Sequence, residues 1–210
     1  MKQFGQTVKG YDIPVLNERE IRGAAGILFL LMIISFLQIA LAGNFLMIKY
    51  FIGIFMVDMM IRVFISPKYS PSMTIARFMT NKQTPQYVGA AQKKFAWYIG
   101  LTLSTAMFVH IVLLNAYGII TGLSCFVCLI FMFFELAFGI CIGCKIYALF
   151  NKNEVKYCPG EVCEVKDRHP IQETKVTEWV VVLLAIGLIV LMFYLFNDTL
   201  AIAPHELKLW

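Results

Sequence analysis

The chain has 210 residues, a formal net charge of +5 and a hydrophobic content of 60%. A soluble domain is usually about 45–50% apolar, so the composition excludes an ordinary soluble globular protein. The excess comes in blocks long enough to cross a bilayer, which takes about 20 residues per helix, and little is left to build a soluble domain.

Residues 1–23 are polar and contain no short apolar core followed by a small-residue cleavage pattern, so no cleavable signal peptide is expected. They read as a cytoplasmic N-terminal segment. The first two predicted membrane helices are 24–42 and 45–65, turned at Gly43-Asn44. In the second, Asp58 and Arg62 stand at i, i+4, the spacing of a structural intrahelical ion pair. Ser66-Pro67 and Ser70-Pro71 follow, and proline cannot continue the helix. Residues 72–80 place Met73, Ala76 and Met79 or Phe78 at helical spacing, which fits either a short interfacial helix or an irregular loop. The third helix is 95–115, with a turn near Tyr117-Gly118. Segment 119–149 comes next. As one straight helix it would be about 46 Å long, more than the roughly 30 Å hydrocarbon core. Gly139 and Gly143, spaced G-x-x-x-G, mark the bend or a close-packing site. Residues 150–176 form a polar, cysteine-containing loop, and the fifth helix, 178–196, lies in a C-terminal segment 177–210. The expected fold is an all-α integral membrane protein: a four-helix transmembrane core of two hairpins over 24–149, plus a fifth C-terminal transmembrane helix.

Basic residues set the expected orientation. Lys2, Lys9, Arg19 and Arg22 precede the first helix. Lys68, Arg77, Lys82, Lys93 and Lys94 lie between the second and third. Lys152, Lys156, Lys166, Arg168 and Lys175 lie between the fourth and fifth. The turns at 43–44 and 116–118 carry no Lys or Arg. The N-terminus and both long loops are therefore expected in the cytoplasm, and the C-terminus outside. This topology and anionic lipid account for the net charge. No nucleic-acid motif accompanies it, and the expected partner is the lipid bilayer rather than nucleic acid.

All six cysteines fall between Cys125 and Cys163. Cys141 and Cys144 form a C-x-x-C pair, and residues at i, i+3 share a helix face. They can pair, share a metal, exchange a disulfide, or simply pack beside the glycines. Lys145 adjoins them, and a neighbouring cation favours the reactive thiolate. The reducing cytosol argues against a permanent disulfide. Cys158 and Cys163 flank a Pro-Gly turn on the same side. Together the four make C-x2-C-x13-C-x4-C, a set that could hold zinc or an iron–sulfur cluster or carry out thiol–disulfide or sulfur transfer. Cys125 and Cys128, near the outer end, read as packing residues. Glu135 sits in mid-membrane, where an ionisable group is costly and a functional candidate by default. Counted along one continuous helix, it faces the Cys128 side and lies opposite Cys144. No phosphate-binding, nucleophile-elbow, metalloprotease or dinucleotide motif occurs.

Several stretches resemble a bacterial membrane family, domain of unknown function 4395. They are Asn17-Glu-Arg19 with Arg22, Asp58-x-x-x-Arg62 with Ser66-Pro-Lys-Tyr-Ser-Pro71, Gly89-Ala-Ala-Gln-Lys-Lys-Phe-Ala-Trp97, and Glu135 with Gly139-Ile-Cys141-Ile-Gly-Cys144-Lys-Ile-Tyr147. The resemblance covers roughly 12–165. It implies four membrane helices with a C-x-x-C at the end of the fourth, and the expected location is the bacterial inner membrane. It carries no activity. Association of some members with rhodanese-like or thioredoxin-like sulfur proteins implies such a partner. The functional expectation is a cytoplasm-facing thiol site at Cys141/Cys144 for thiol–disulfide or reduced-sulfur handling. The alternatives are a non-catalytic accessory subunit of a larger membrane complex, and a small-solute transporter using Glu135. The sequence leaves catalysis itself open.

Overall fold

The structure is a computed structural model, and it describes residues 4–150 and 175–206. Cys158 and Cys163 lie outside the described residues.

A short strand, β1 (Val15–Asn17), opens the fold. The first helix, α1, is Glu18–Ala42. It starts six residues before its apolar run because Asn17 caps it, accepting a hydrogen bond from the Arg19 backbone N–H at 3.2 Å. Glu18 and Glu20 fill its first turn, where negative charge suits the helix dipole. At the other end Gly43 takes φ 61° and returns its N–H to Ile39 O, a left-handed cap that glycine adopts at no steric cost. The second helix, α2 (Leu46–Met60), runs on into a π-helical turn, Ile61–Ile65. The two Ser-Pro steps then give a 3-10 turn and α3 (Pro71–Thr80), so residues 72–80 form a helix. Pro71 stands at its first position and Ser70 caps it. Met73 and Ala76 are buried, and Phe78 and Met79 are exposed.

Strand β2 (Tyr87–Gly89) pairs antiparallel with β1, Val15 opposite Gly89. It leads into α4 (Ala90–Met107), which also ends in a π-helical turn, Phe108–Leu113. Strand β3 (Ala116–Tyr117) pairs parallel with β4 (His205–Glu206). The 119–149 segment is two helices: α5 (Ile119–Phe138) and α6 (Ile142–Phe150). The last helix is α7, Val176–Ala201.

Four helices pack in a closed ring, α1 on α2, α2 on α4, α4 on α5 and α5 back on α1. Their shared core includes Leu28, Met32, Phe55, Trp97, Met107 and Met132. Outward positions such as Leu30, Leu37, Leu41, Phe126 and Phe133 stay exposed, which suits a chain whose outer solvent is lipid. Among the described residues, Glu18–Ala42, Ala90–Leu113, Ile119–Phe138 and Val176–Ala201 are long and apolar enough to span a membrane. The second expected span, 45–65, is less uniformly apolar because it carries Lys49, Asp58 and Arg62, and all three are buried. It must still make the return crossing. α1 leaves the β1–β2 end, and the Ser-Pro turns and α3 sit back at that end: a Cβ at Gly23 near the start of α1 would meet Ala76 Cβ at 3.0 Å.

Buried charges fix the two ends. At the β1–β2 end, Arg77 donates to Glu20 (3.1 Å) and to Glu178 (2.8 Å), and Lys68 pairs with Glu178 (2.9 Å). Three helices are thereby joined. At the other end Lys49 Nζ donates to Asn115 Oδ1 (2.7 Å), Leu200 O (3.0 Å) and Ile202 O. The N-terminus, the 66–89 connection and the start of α7 therefore share one end of the bundle. The end of α7 shares the other with both short turns.

Candidate functional site

The site is built where α5 breaks. Gly139 takes φ 65°, a left-handed conformation strained for other residues, and its N–H returns to Glu135 O at 3.2 Å. The carbonyls this leaves are capped from α1: Arg22 Nη2 donates to Leu136 O (3.2 Å) and Ala137 O (3.4 Å), a cation at a helix C-terminus. The chain turns through Ile140 and starts again. Lys145 N–H donates to Cys141 O at 3.1 Å, so Cys141 is the N-cap of α6 and Cys144 lies in its first turn. Gly143 lets α6 press on α4, since a Cβ there would stand 2.6 Å from Ala96 Cβ and 2.8 Å from Ala96 Cα. The two glycines divide the work expected of them, Gly139 making the bend and Gly143 the close approach.

This break corrects the expectation that Glu135 lies opposite Cys144. Nine residues of unbroken helix at 3.6 per turn separate two positions by about half a turn. The reset at 139–141 cancels that angle, and Glu135 and both thiols all act on one group, Lys93. Lys93 Nζ donates to Glu135 Oε1 at 2.5 Å, and Lys93 is fully buried. The cation at the thiols is thus Lys93 of α4, whereas Lys145 points outward and is exposed. Sequence reasoning missed Lys93, counting Lys93-Lys94 as two loop charges. The available signal was Trp97 four residues on: Lys93 and Trp97 share the buried face of α4, while Lys94 contacts the rings of Phe4 and Tyr98.

Cys141 and Cys144 are free thiols, 4% and 3% exposed. Cys144 is held far above the ordinary 9.0 of a thiol. Its hydrogen bond with Cys141 is the main cause and burial the second; the positive charge of Lys93 pulls the other way, and Glu135 adds to the rise. Of the two, Cys141 borders a cavity of about 80 Å³ between α1, α2, α4 and α5, whose other polar walls are Glu135 and Arg62.

Asp58 and Arg62 lie 2.7 Å apart, both about 2% exposed. The Ser-Pro turns complete them: Ser70 Oγ donates to Asp58 Oδ1 (2.7 Å), Ser72 Oγ to Asp58 Oδ2 (2.7 Å), and Arg62 Nε to Ser70 Oγ (3.2 Å). Arg62 also lies over the Trp97 ring, 5.3 Å from its centroid. Cys125 and Cys128 are buried in α5. Among the described residues no group of three or more His, Cys, Asp or Glu is arranged to hold a metal. The four-thiolate zinc or iron–sulfur site needs Cys158 and Cys163, which are not described.

Neither a curated protein nor a solved structure matches the chain. A family model does, over residues 16–152, a span that runs from within β1 through α6, holds every described site residue and leaves α7 outside. The chain belongs to the family described as a domain of unknown function (DUF4395).

Proposed function

We propose that Cys141 and Cys144 form a thiol–disulfide exchange site of an inner-membrane protein that acts on disulfide substrates, with Cys141 attacking and Cys144 resolving. The observation that carries this reading is the placement of the pair. Cys141 caps the N-terminus of α6, and both thiols sit beside the Lys93 ammonium. Helix N-termini and adjacent cations each favour thiolate. Cys141 is the thiol on the cavity wall, so an incoming sulfur meets it first. The raised Cys144 keeps its proton until a mixed disulfide has formed.

The Cys141 thiolate attacks one sulfur of a disulfide R–S–S–R′; the S–S bond breaks and R′S⁻ leaves, taking up a proton. Cys144 gives up its proton and attacks Cys141 Sγ, forming the Cys141–Cys144 disulfide and releasing RS⁻. The pair loses two electrons and the substrate gains them. Glu135, held by Lys93 and interacting with Cys144, is the carboxylate that receives the resolving proton. The distribution of basic residues in the loops supports a cytoplasm-facing position for the thiols, the side on which a rhodanese-like or thioredoxin-like partner would act. Under graded oxidation by glutathione disulfide, peptide mapping should find a Cys141–Cys144 disulfide that dithiothreitol reverses. Thiols that stay reduced up to the unfolding point would remove the proposal.

The accessory-subunit reading draws on α7. It lies outside the family span, and only 6% of its apolar window is buried, against 22–28% in the other spanning helices. A partner complex that co-purifies with full-length chain and is lost on deleting α7 would favour it.

A further inference from the structure

A second, smaller cavity of about 20 Å³ lies deeper in the bundle, and its wall is rich in sulfur. Met32 of α1, Met107 of α4, and Cys125, Cys128 and Met132 of α5 all line it, and all five are buried. Cys125, Cys128 and Met132 follow i, i+3, i+7, one face of α5. The rest of the wall is apolar apart from Ser104. No carboxylate or imidazole borders it.

We propose that these residues form a binding site for a soft monovalent cation, Cu(I). Thiolate and thioether donors select soft metals, whereas magnesium, calcium and manganese want carboxylate, carbonyl or water. The volume matches a single ion, since about 10–15 Å³ suffices for a water molecule. Charge argues the same way. An apolar core penalises any net charge heavily. Cu(I) bound by one cysteine thiolate, with thioethers and the second thiol completing the shell, is neutral. One proton leaves as the ion enters: Cu⁺ + Cys–SH gives Cys–S–Cu + H⁺, with no change of oxidation state. A divalent ion would be neutral only with both Cys125 and Cys128 deprotonated, and the three thioethers of the wall favour the softer Cu(I) over it. The two cavities are neighbours. The larger cavity shares Phe55, Cys128 and Met132 with the smaller one, adds Met59, and reaches Cys141 at its far wall. Sulfur therefore occurs on the walls of both cavities, from the α6 cap to the core.

The test uses full-length protein in detergent, anaerobic and reduced, titrated with Cu(I) against bicinchoninate. Met→Leu changes conserve volume and are tolerated by cores, so packing alone would accept Met32→Leu/Met107→Leu/Met132→Leu. The wild type should retain Cu(I), with a sulfur-only first shell in X-ray absorption. The triple variant, folded by circular dichroism, should lose about 10- to 100-fold in affinity, a range typical of damaged metal sites. Cys141→Ser/Cys144→Ser should still retain core copper, loading it more slowly. The site is overturned if the wild type holds no Cu(I), if the triple variant binds it as tightly as wild type, or if removing Cys141 and Cys144 abolishes all binding.

Discussion

Replacing Lys93 with methionine separates the two roles of the buried ammonium. Lys93 is fully buried and bonded to Glu135, so Lys93→Met leaves a carboxylate without its counter-ion in the bundle. Breaking a buried pair from one side costs about 3–5 kcal/mol. Replacing both partners by apolar groups is close to neutral, so Lys93→Met/Glu135→Leu should regain most of that stability. Reactivity should not return with it. A close opposite charge changes the balance of thiol and thiolate by about 10- to 1000-fold. A more basic thiolate is also a better nucleophile, with a Brønsted slope of about 0.4–0.5, so alkylation of the pair should slow by about 3- to 30-fold. The assay is iodoacetamide labelling at neutral pH, resolved by peptide mass spectrometry, beside thermal unfolding in the same detergent. A double variant that is stable and alkylates at the wild-type rate would refute the role given to Lys93.

Gly143→Val should be more damaging than its size suggests, because its Cβ would stand 2.6 Å from Ala96 Cβ; a lower melting temperature is expected, partly recovered by Ala96→Gly, and an unchanged melting temperature would contradict the close approach. Asp58→Asn strips the buried Arg62 of its counter-ion and should cost about 3–5 kcal/mol, with the Ser70–Ser72 turn becoming susceptible to proteolysis; a stable, protease-resistant variant would count against the network. Because the Cys144 thiol is raised in the folded state, its contribution to stability is fully present below the unfolded thiol value of about 8.5 and is lost as pH climbs above it. Wild-type stability should therefore fall above about pH 9, and Cys144→Ser should flatten that slope; equal slopes would contradict the raised value. Cysteines introduced at Lys82 and at Thr199 should react with an impermeant label from opposite faces of the membrane, since the two ends of the bundle divide at those positions; labelling from one face would break the topology.

The parts of the fold legible in the sequence depend on local periodicity or composition. The five apolar segments are such features, as are the stop at Ser66-Pro67 and the Asp58–Arg62 spacing. Helix starts were less legible. Hydropathy places α1 at residue 24, but it begins at Glu18, because a capping Asn and acidic first-turn residues favour a helix without being apolar. The site itself was legible only in part. Gly139 and Gly143 mark the break, yet an angle counted straight through it puts Glu135 on the wrong side of Cys144. Lys93 was hidden for another reason. In a loop-charge count it is one of five basic residues between two spans, and only the tertiary fold carries it to Glu135. The Glu20–Arg77–Glu178 cluster joins residues far apart in the chain, and no periodicity encodes such a pairing.

The central claim is that Cys141 is the attacking thiol and Cys144 the resolving one. Incubating the single variants with glutathione disulfide and reading intact masses tests it directly. Cys144→Ser should accumulate a mixed disulfide with glutathione at Cys141, because nothing remains to resolve it. Cys141→Ser should remain unmodified, because Cys144 is buried and does not border the cavity that Cys141 lines. Equal glutathione adducts on both variants, or none on Cys144→Ser, would contradict the account.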